Sequence, residues 1–279
     1  ASAVSIRGVV AIEELVGLYI IGDGVSTGGT GSIDVNVALG YLIVNADVIT
    51  EGSGAVTLAA ADHVVINADV VSGGSDVTIT SGTVVPAGTI DLGGTVSAME
   101  DVNMNGPVVV TADSEVSSLA GNVTFAETIN DDGGPTSDLT VDSLGGMVIF
   151  NGDIGTAQAL DELNVSAGRG IMLNADVGTI AAAGANTVTF LDDVTIANGP
   201  TVVHAGTTAT FDDDVSGAED LTVIAGSTVN LNSVGDGDAP TDLDVTAPNI
   251  NLRGDITVAG DASFNGTTKV VRDVDLEAD

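Results

Sequence analysis

Hydrophobic and polar residues alternate along most of the chain in short runs that are separated by turn residues. One segment returns repeatedly: apolar-x-apolar-Asn, then a pair that ends in Asp, as in LIVNADV at 42–48 and VVINADV at 64–70. Alternation over a few residues is typical of half-buried strands, and Gly, Asn and Asp between the runs are typical of turns. The pattern therefore predicts many short strands and almost no helix.

The Asn position of this segment recurs at a nearly constant interval. The positions are Asn45, Asn67, Asn105, Ala126, Asn151, Asn174, Leu191, Asp212, Asn232 and Arg253, with a further fragment at Asn265. The mean interval is about 21 residues if the longest gap, between Asn67 and Asn105, hides one degenerate unit near positions 90–94. A unit of this length cannot bury its own apolar face, so neighbouring units are expected to stack.

A second short segment alternates with the first. It reads DLTV at 138–141 and 220–223, ELNV at 162–165 and DLDV at 242–245, and its Leu precedes the Asn position by about half a repeat. Each repeat is therefore predicted to contain two short strands, with Gly-rich or Asp-rich turns between them.

The phenylalanines indicate which positions face inward, because all five stand immediately before the Asn position. They are Phe125, Phe150, Phe190, Phe211 and Phe264. In a solenoid whose coils rise by about 4.8 Å, equivalent side chains lie above one another and form an apolar ladder. A β-sandwich is the alternative, but it does not require one position at a fixed period. The repeat predicts an all-β parallel β-helix (solenoid) of about eleven coils of about 21 residues over residues 33–279, with residues 1–32 as an N-terminal cap or docking segment.

The charge of the chain excludes several kinds of partner. The 279 residues are 44% hydrophobic and can bury a large core, but 40 acidic side chains against five basic ones give a net charge of −35. Such a charge repels nucleic acid and anionic membrane surfaces. The absence of cysteine excludes disulfides and thiolate metal sites. The most apolar stretch, at 15–21, is far shorter than the roughly 20 residues that span a bilayer, so we expect no membrane insertion. Any secretion signal is expected to have been removed or to lie outside this chain.

The stretch DLTVDSLGGMVIFNGDIGTAQALDELNVSAGRGIMLNADVGTI (138–180) resembles the repeats of filamentous-haemagglutinin-type exoproteins. The later run at 208–247 is similar to the same repeats, and the resemblance covers about residues 33–264, most weakly between 81 and 135. These are very large bacterial surface proteins that are secreted by two-partner or autotransporter routes. The resemblance implies a right-handed β-helix, an extracellular location at the cell surface, and a role as an adhesin or fibre.

Two polar positions of the repeat are candidate sites. Asparagines at the Asn position either stack and exchange amide hydrogen bonds between coils or serve as turn residues with a left-handed backbone. They are Asn45, Asn67, Asn105, Asn151, Asn174, Asn232 and Asn265. Two residues further on, an Asp recurs in most repeats, and carboxylates stacked about 5 Å apart repel by roughly 1 kcal/mol even in water. Either these side chains spread into solvent or cations such as Ca²⁺ bind between them.

The candidate Ca²⁺ ligands combine that recurring Asp with two acidic turns. They are Asp47, Asp69, Asp153, Asp176, Asp193, Asp212, Asp213, Asp214, Asp236, Asp238 and Asp255. Neither an EF-hand loop nor a complete GGxGxDxUx nonapeptide occurs in the sequence, so no cofactor is required by a motif.

The tripeptide Arg253-Gly254-Asp255 has the sequence that integrins recognise, which raises an adhesive alternative. It occupies the position of Asn151-Gly152-Asp153 in another repeat, so one substitution in a repeat generates it. A polysaccharide-degrading β-helix enzyme is the third class. Lyases of acidic polysaccharides need a cationic cleft, which five scattered basic residues do not readily build. The pair Asp192-Asp193 could begin a hydrolase cluster, but His63 and His204 lie in alternating strand contexts without a partner motif, so no enzyme is predicted.

These observations together predict an extracellular structural protein. The chain is expected to form a rod in a cell-surface fibre, sheath or adhesin stalk, and to associate with copies of itself into oligomers or filaments. A host receptor or a glycan is the partner under the adhesive alternative. The acidic surface would keep the rods soluble and apart, and divalent cations would convert that repulsion into cohesion.

Overall fold

The computed structural model describes residues 4–6, 10–14, 16–82, 88–133, 137–178 and 184–278. All helix or strand structure in these ranges is β-strand. The strands are β1 (Val4–Ile6), β2 (Val10–Glu14), β3 (Leu18–Ile20), β4 (Val25–Thr27), β5 (Ile33–Val37), β6 (Leu42–Val44), β7 (Val48–Thr50), β8 (Val56–Ala60), β9 (Val64–Ile66), β10 (Val70–Ser72), β11 (Val77–Thr80), β12 (Ile90–Leu92), β13 (Thr95–Ala98), β14 (Val102–Asn105), β15 (Val108–Val110), β16 (Ser114–Ser118), β17 (Val123–Phe125), β18 (Ile129–Asp131), β19 (Leu139–Ser143), β20 (Val148–Phe150), β21 (Leu160–Ala167), β22 (Ile171–Leu173), β23 (Ala185–Phe190), β24 (Val194–Ile196), β25 (Thr201–Ser216), β26 (Leu221–Ala225), β27 (Thr228–Val234), β28 (Leu243–Leu252), β29 (Ile256–Val258), β30 (Ala262–Val270) and β31 (Leu276–Ala278).

Successive coils pair in parallel, and the pairs form three ladders along the molecule. The first ladder begins with β1, β4 and β7, the second with β2, β5 and β8, and the third with β3, β6 and β9. Later strands such as β25 and β28 run around a bend and belong to more than one ladder. The bend from the first to the second ladder is called the first corner, that from the second to the third the second corner, and that from the third to the first the third corner.

The core is a set of apolar columns that run along the inside of the ladders. The column of the first ladder runs through Val48, Val70, Val96, Val116, Val141, Val165, Phe190, Phe211, Leu231 and Leu252. Each of these side chains is fully or almost fully buried, and the second and third ladders carry equivalent columns. Because inward positions alternate with outward ones along every strand, the register of the ladders keeps the apolar set inside from coil to coil.

The predicted all-β parallel solenoid is confirmed, with about 12 turns of about 22 residues each. The prediction of eleven coils falls short because β2, β3 and β4 lie within residues 1–32 and pair with β5, β6 and β7. The ladders therefore extend into the segment that the sequence marks as a cap or docking segment. That role stays a prediction, as does the right-handed sense of the helix.

Each coil has three strand positions, and the prediction of two strands per repeat is wrong. The strands β6, β7 and β8 follow one another within a single coil. The segment LIVNADV contains β6, a short bend and the start of β7. Apolar residues continue on both sides of such a short bend, so the sequence pattern does not separate the two strands.

The five phenylalanines do not occupy one column, contrary to the sequence prediction. Phe125 and Phe150 lie in the second ladder, with ring centroids 5.4 Å apart and planes at 13°. Phe190 and Phe211 lie in the first ladder with centroids 5.3 Å apart, and Phe264 lies in the third. All three corners are built from the same apolar-x-apolar-Asn segment, so a repeat read from sequence does not distinguish one corner from another.

The two irregular intervals of the repeat mark the places where the segment changes corner. Asn45 and Asn67 follow third-ladder strands. After the longest interval the repeated segment lies in the second ladder, beginning with Asn105 at the end of β14. The shortest interval, between Asn174 and Leu191, leads to positions that follow first-ladder strands. Gly93 occupies the equivalent of the Asn67 position, because its N–H donates to the carbonyl of Ile66. The degenerate unit expected near positions 90–94 is therefore present.

Candidate functional site

The recurring Asp lies at the corners, directly before the first paired residue of the next ladder, and other short polar side chains occupy the same position. At the first corner, the backbone N–H of Asp101 donates to Oδ1 of Asp76 over 3.0 Å, and that of Asn122 donates to Oδ1 of Asp101 over 2.7 Å. The N–H of Met147 in turn donates to Oδ1 of Asn122 over 2.8 Å. Each short polar side chain thus accepts the backbone N–H of the equivalent residue in the next coil. We call such a side chain a corner acceptor.

Corner acceptors occur at all three corners. At the third corner, the N–H of Asp69 donates to Oδ1 of Asp47 over 3.3 Å. At the second corner, Oδ1 of Asp153 accepts from the N–H of Asp176 over 3.2 Å, and Oδ1 of Asp176 accepts from the N–H of Val202 over 2.7 Å. A backbone N–H that lacks a partner costs free energy when it is buried, so these side chains complete the coil-to-coil bonding where the strands stop.

The acidic positions predicted as one row are therefore distributed over three separate columns. Asp47 and Asp69 are at the third corner, Asp153 and Asp176 at the second, and the remaining three recurring positions at the first. Those three are Asp193, Asp214 and Asp255. The hydrogen-bonding role of the corner acceptors is absent from the sequence predictions. Its signal is an Asp, Asn or Ser directly before the first Val or Ile of a strand, as in DVTI at 76–79.

The asparagines of the repeat form amide pairs between adjacent coils, as one of the two sequence interpretations predicts. Nδ2 of Asn67 donates to Oδ1 of Asn45 over 2.8 Å, and Nδ2 of Asn174 donates to Oδ1 of Asn151 over 2.7 Å. Nδ2 of Asn198 extends the second pair by donating to Asn174 over 3.0 Å. Among the non-glycine residues that the structure describes, Asn198 alone has a positive φ, of 70°. The left-handed turn interpretation therefore does not apply to the other asparagines.

The remaining asparagines of the repeat have different partners. Nδ2 of Asn232 donates to the carbonyl of Asp212 over 3.0 Å, and Nδ2 of Asn105 lies 3.5 Å from Oγ1 of Thr80. Asn265 is exposed in β30. The asparagines thus stabilise corners in short stretches of two or three coils, because the repeated segment moves from one corner to the next.

Burial, together with the carboxylates of adjacent coils, raises the pKa of several corner groups. Burial raises the pKa of Asp138, and the neighbouring carboxylates of Asp113 and Asp161 raise it further, against a backbone hydrogen bond from Glu162 that lowers it. Asp113 is itself a corner acceptor, since its Oδ1 accepts the N–H of Asp138 over 3.1 Å. The same geometry that satisfies the backbone therefore places like charges one above another.

Two further carboxyl groups have raised pKa values for the same reasons. Burial raises the pKa of Asp176, and the carboxylate of Asp153 in the preceding coil adds to the shift. Burial also raises the pKa of Asp213, and the carboxylates of Asp193 and Asp192 contribute. These groups take up a proton more readily than an ordinary aspartate, so part of the negative charge of the rod is relieved when the pH falls.

One depression on the outer side of the second ladder includes two of the candidate Ca²⁺ ligands, Asp236 and Asp255. It has a volume of about 280 Å³, and its acidic lining residues are Asp236, Asp255, Asp275 and Glu277. Oδ1 of Asp214 lies nearby and accepts the N–H of Asp236 over 3.3 Å. Within the described ranges, no three His, Asp or Glu side chains are grouped in a way that would hold a metal ion. Ca²⁺ binding stays a prediction.

The Arg-Gly-Asp tripeptide is held against the coils that precede it. Nη1 of Arg253 lies 3.2 Å from Oδ1 of Asp212, two coils earlier, and forms a partly exposed ion pair. Oδ1 of Asp255 accepts the N–H of Asp275 over 2.9 Å. A Cβ at Gly254 would lie 2.5 Å from the carbonyl oxygen of Asn232, so the backbone follows the surface of the rod closely. The adhesive interpretation stays a prediction.

The residues considered for catalysis have partners that sequence reasoning does not foresee. Nε2 of His63 lies 3.1 Å from Oδ1 of Asp62, and its Nδ1 lies 2.7 Å from Oγ1 of Thr89 on the next coil. Oδ2 of Asp192 accepts the N–H of Ala167 over 2.7 Å, and Oδ1 of Asp193 accepts the N–H of Asp214 over 3.3 Å. The aspartate pair therefore bonds the backbone of the adjacent coils on either side.

The chain was compared with known proteins at three levels. No protein-family model, no curated protein sequence and no solved structure matches it. In the part of the chain that the structure describes, no helix is long and apolar enough to cross a membrane.

Proposed function

We propose that this protein is a structural rod that forms part of a larger cell-surface assembly. The observation that carries the proposal is the continuous stack of about 12 coils with apolar columns inside and hydrogen-bonded ladders along its length. At about 4.8 Å per coil, the stack is on the order of 55 Å long. The three ladders and the corner acceptors between them all bond each coil to the next, so the rod resists extension along its axis.

The surface of the rod supports the same role. The net charge of −35 keeps separate rods soluble and apart. Divalent cations would reduce that repulsion and permit lateral cohesion, so we include cation-dependent packing in the proposal. No cofactor is needed for the rod itself.

Self-association into oligomers or filaments is the second element of the proposal. In the described part of the chain, β30 pairs with β28 and β31 pairs with β29, and each has an edge that no other described strand covers. Uncovered strand edges add further strands readily. Of the exposed large hydrophobic residues in the described ranges, most lie near the first or the last described coils, for example Tyr19 in the former and Val270 in the latter.

We further propose that the protein acts outside the cell, in the manner of filamentous-haemagglutinin-type exoproteins. The support is the sequence resemblance of residues 138–180 together with the solenoid fold. Electron microscopy of the native material tests the proposal, because a structural rod gives filaments, sheaths or regular surface arrays. Antibody labelling of intact cells tests the location. Native material that is only dispersed monomer inside the cell would contradict both elements.

An adhesin for a host receptor or glycan is the main alternative. Arg253 and Asp255 lie at a partly exposed corner, but both side chains have partners within the rod. Cell-adhesion and glycan-array assays on the wild type and on Asp255→Ala separate the alternatives, since a structural rod gives no ligand-specific binding that depends on Asp255. A screen for polysaccharide turnover tests the enzymatic alternative in the same way.

A further inference from the structure

A surface of exposed rings and aliphatic side chains lies on the outside of the first described coils. It consists of Val16, Tyr19, Ile21, Leu39 and Tyr41, which we call the aromatic surface. Tyr19 and Tyr41 are the two tyrosines of the chain, and they are 59% and 47% exposed. Tyr19 lies in β3 opposite Ile43 of β6, and Tyr41 directly precedes β6, so the two tyrosines lie on adjacent coils. Exposed apolar groups that lie together on a soluble protein often mark a contact site.

A carboxylate-lined depression adjoins the aromatic surface. It has a volume of about 350 Å³ and is lined by Glu13, Glu14, Asn36 and Ala38. The N–H of Ala38 donates to the carbonyl of Glu14 over 2.9 Å, and Leu39 of the aromatic surface follows directly in sequence. The two exposed glutamates provide carboxylates that pair with Lys or Arg side chains, and the tyrosine rings of the aromatic surface provide faces for cation–π contact.

The last described coils carry side chains of complementary character. Lys269, Val271 and Arg272 are all exposed, and we call residues 269–272 the basic segment. Lys269 pairs with Asn251 at an outward position of the ladder, and the N–H of Val271 donates to the carbonyl of Leu252. The segment is thus held on the rod with two valines between its two cations. These two cations are a large share of the five basic residues of the chain.

We propose that the basic segment of one copy docks on the aromatic surface and the Glu13–Glu14 depression of a second copy. The inference rests on the self-association proposed above and names its contact. Two chains of charge −35 repel one another, and this arrangement places cations of one chain against carboxylates of the other. Because the two surfaces differ, the contact is head-to-tail. Such contacts extend into filaments when the rotation between copies does not close a ring.

Charge reversal on the full-length chain tests the contact. Glu13→Lys with Glu14→Lys gives a variant that is basic at both surfaces, and Lys269→Glu with Arg272→Glu gives one that is acidic at both. Each alone is expected to weaken association by about tenfold or more in sedimentation velocity. An equimolar mixture restores opposite charges at every junction and is expected to recover assemblies of the wild-type size. The control, Glu115→Lys with Arg169→Glu, reverses two exposed charges in the middle of the rod without changing the net charge, and it is expected to associate as the wild type does.

Tyrosine emission gives an independent readout. The chain has no Trp, and both of its Tyr residues belong to the aromatic surface, so intrinsic emission reports on that surface alone. Emission is expected to change with protein concentration in the wild type and to stay constant in either charge-reversed variant. If the wild type assembles and the two variants assemble equally well, the proposed contact is wrong while the structural role stands. A wild type that stays monomeric at every concentration overturns both the proposed self-association and the proposed contact.

Discussion

The backbone N–H of Asn122 donates a 2.7 Å hydrogen bond to Oδ1 of Asp101 in the preceding coil. This bond spans a corner, where the strands of the first ladder have ended and those of the second have not begun. Asp101 is also bonded through its own N–H to Oδ1 of Asp76. The side chains of the corner therefore continue the coil-to-coil bonding that the strands provide elsewhere.

Replacement of Asp101 tests the corner acceptor. Asp101→Ala leaves the N–H of Asn122 without its acceptor and is expected to lower the free energy of unfolding by about 1–2 kcal/mol. Asp101→Asn keeps an Oδ1 in the same place and removes a charge from an acidic column, so its stability is expected to equal or exceed that of the wild type. Urea denaturation followed by circular dichroism measures both. Equal losses in the two variants would show that charge, rather than the hydrogen bond, is what matters at this corner.

Stacking of Phe125 on Phe150 predicts energetic coupling between the two rings. Phe150→Ala removes a fully buried ring and is expected to cost about 3–5 kcal/mol. A double-mutant cycle of Phe125→Leu and Phe150→Leu is expected to give a coupling energy of about 0.5–1.5 kcal/mol. Phe125 and Phe211 lie in different ladders several coils apart, so the same cycle on that pair should be additive. Coupling of equal size in both pairs would contradict the separate columns.

The sequence predicts the stacking of coils but not the position of each residue around the coil. Phe150 and Phe190 are both correctly placed inside, because alternation of apolar and polar residues determines which side chains face the core. Their ladders differ, however, and nothing in a local segment distinguishes corners of nearly equal geometry. The pairing of His63 with Thr89 is hidden for another reason, since the two residues meet only because coil length places them on adjacent turns.

For the acidic positions too, the sequence identifies only part of what the structure shows. Asp47, Asp153 and Asp193 are predicted to act alike because they recur at one position of the repeat, and they do share one local environment. Asp76 and Asp101 share that environment too, yet the strands before them lack the repeated Asn. A carboxylate in this position accepts a backbone N–H whatever segment precedes it, so the periodic motif captures only some of the corner acceptors.

Calcium binding predicts a specific thermal response. If Ca²⁺ binds between carboxylates such as Asp236 and Asp255, millimolar Ca²⁺ is expected to raise Tm by several degrees and EDTA to reverse the change. Mg²⁺ at the same ionic strength is the control, because screening of the net charge affects Tm equally for both ions. A rise in Tm of the same size with Mg²⁺ would indicate screening alone. The variant Asp236→Asn with Asp255→Asn should abolish any part of the rise in Tm that is specific to Ca²⁺.

The raised pKa values of Asp138, Asp176 and Asp213 predict that the rod becomes more stable as the pH falls from neutrality. Each folded pKa lies above the ordinary value of 3.8, so the folded state binds protons more readily than the unfolded state does. The stabilisation is fully present below pH 3.8 and is lost as the pH rises through the raised values. Tm measured from pH 7 downward should therefore increase, whereas many proteins lose stability on acidification.

Neutral replacements identify the groups responsible for this pH dependence. The triple variant Asp138→Asn, Asp176→Asn and Asp213→Asn removes the three titrating groups and keeps an Oδ1 at each position, so its Tm is expected to exceed that of the wild type at pH 7. The difference in Tm between the triple variant and the wild type should narrow as the pH falls, because the wild-type groups become neutral as well. Glu115→Gln, at an exposed strand position, controls for the loss of one negative charge. A wild-type Tm that declines steadily below pH 7, in parallel with that of the triple variant, would mean that other groups dominate the acid response.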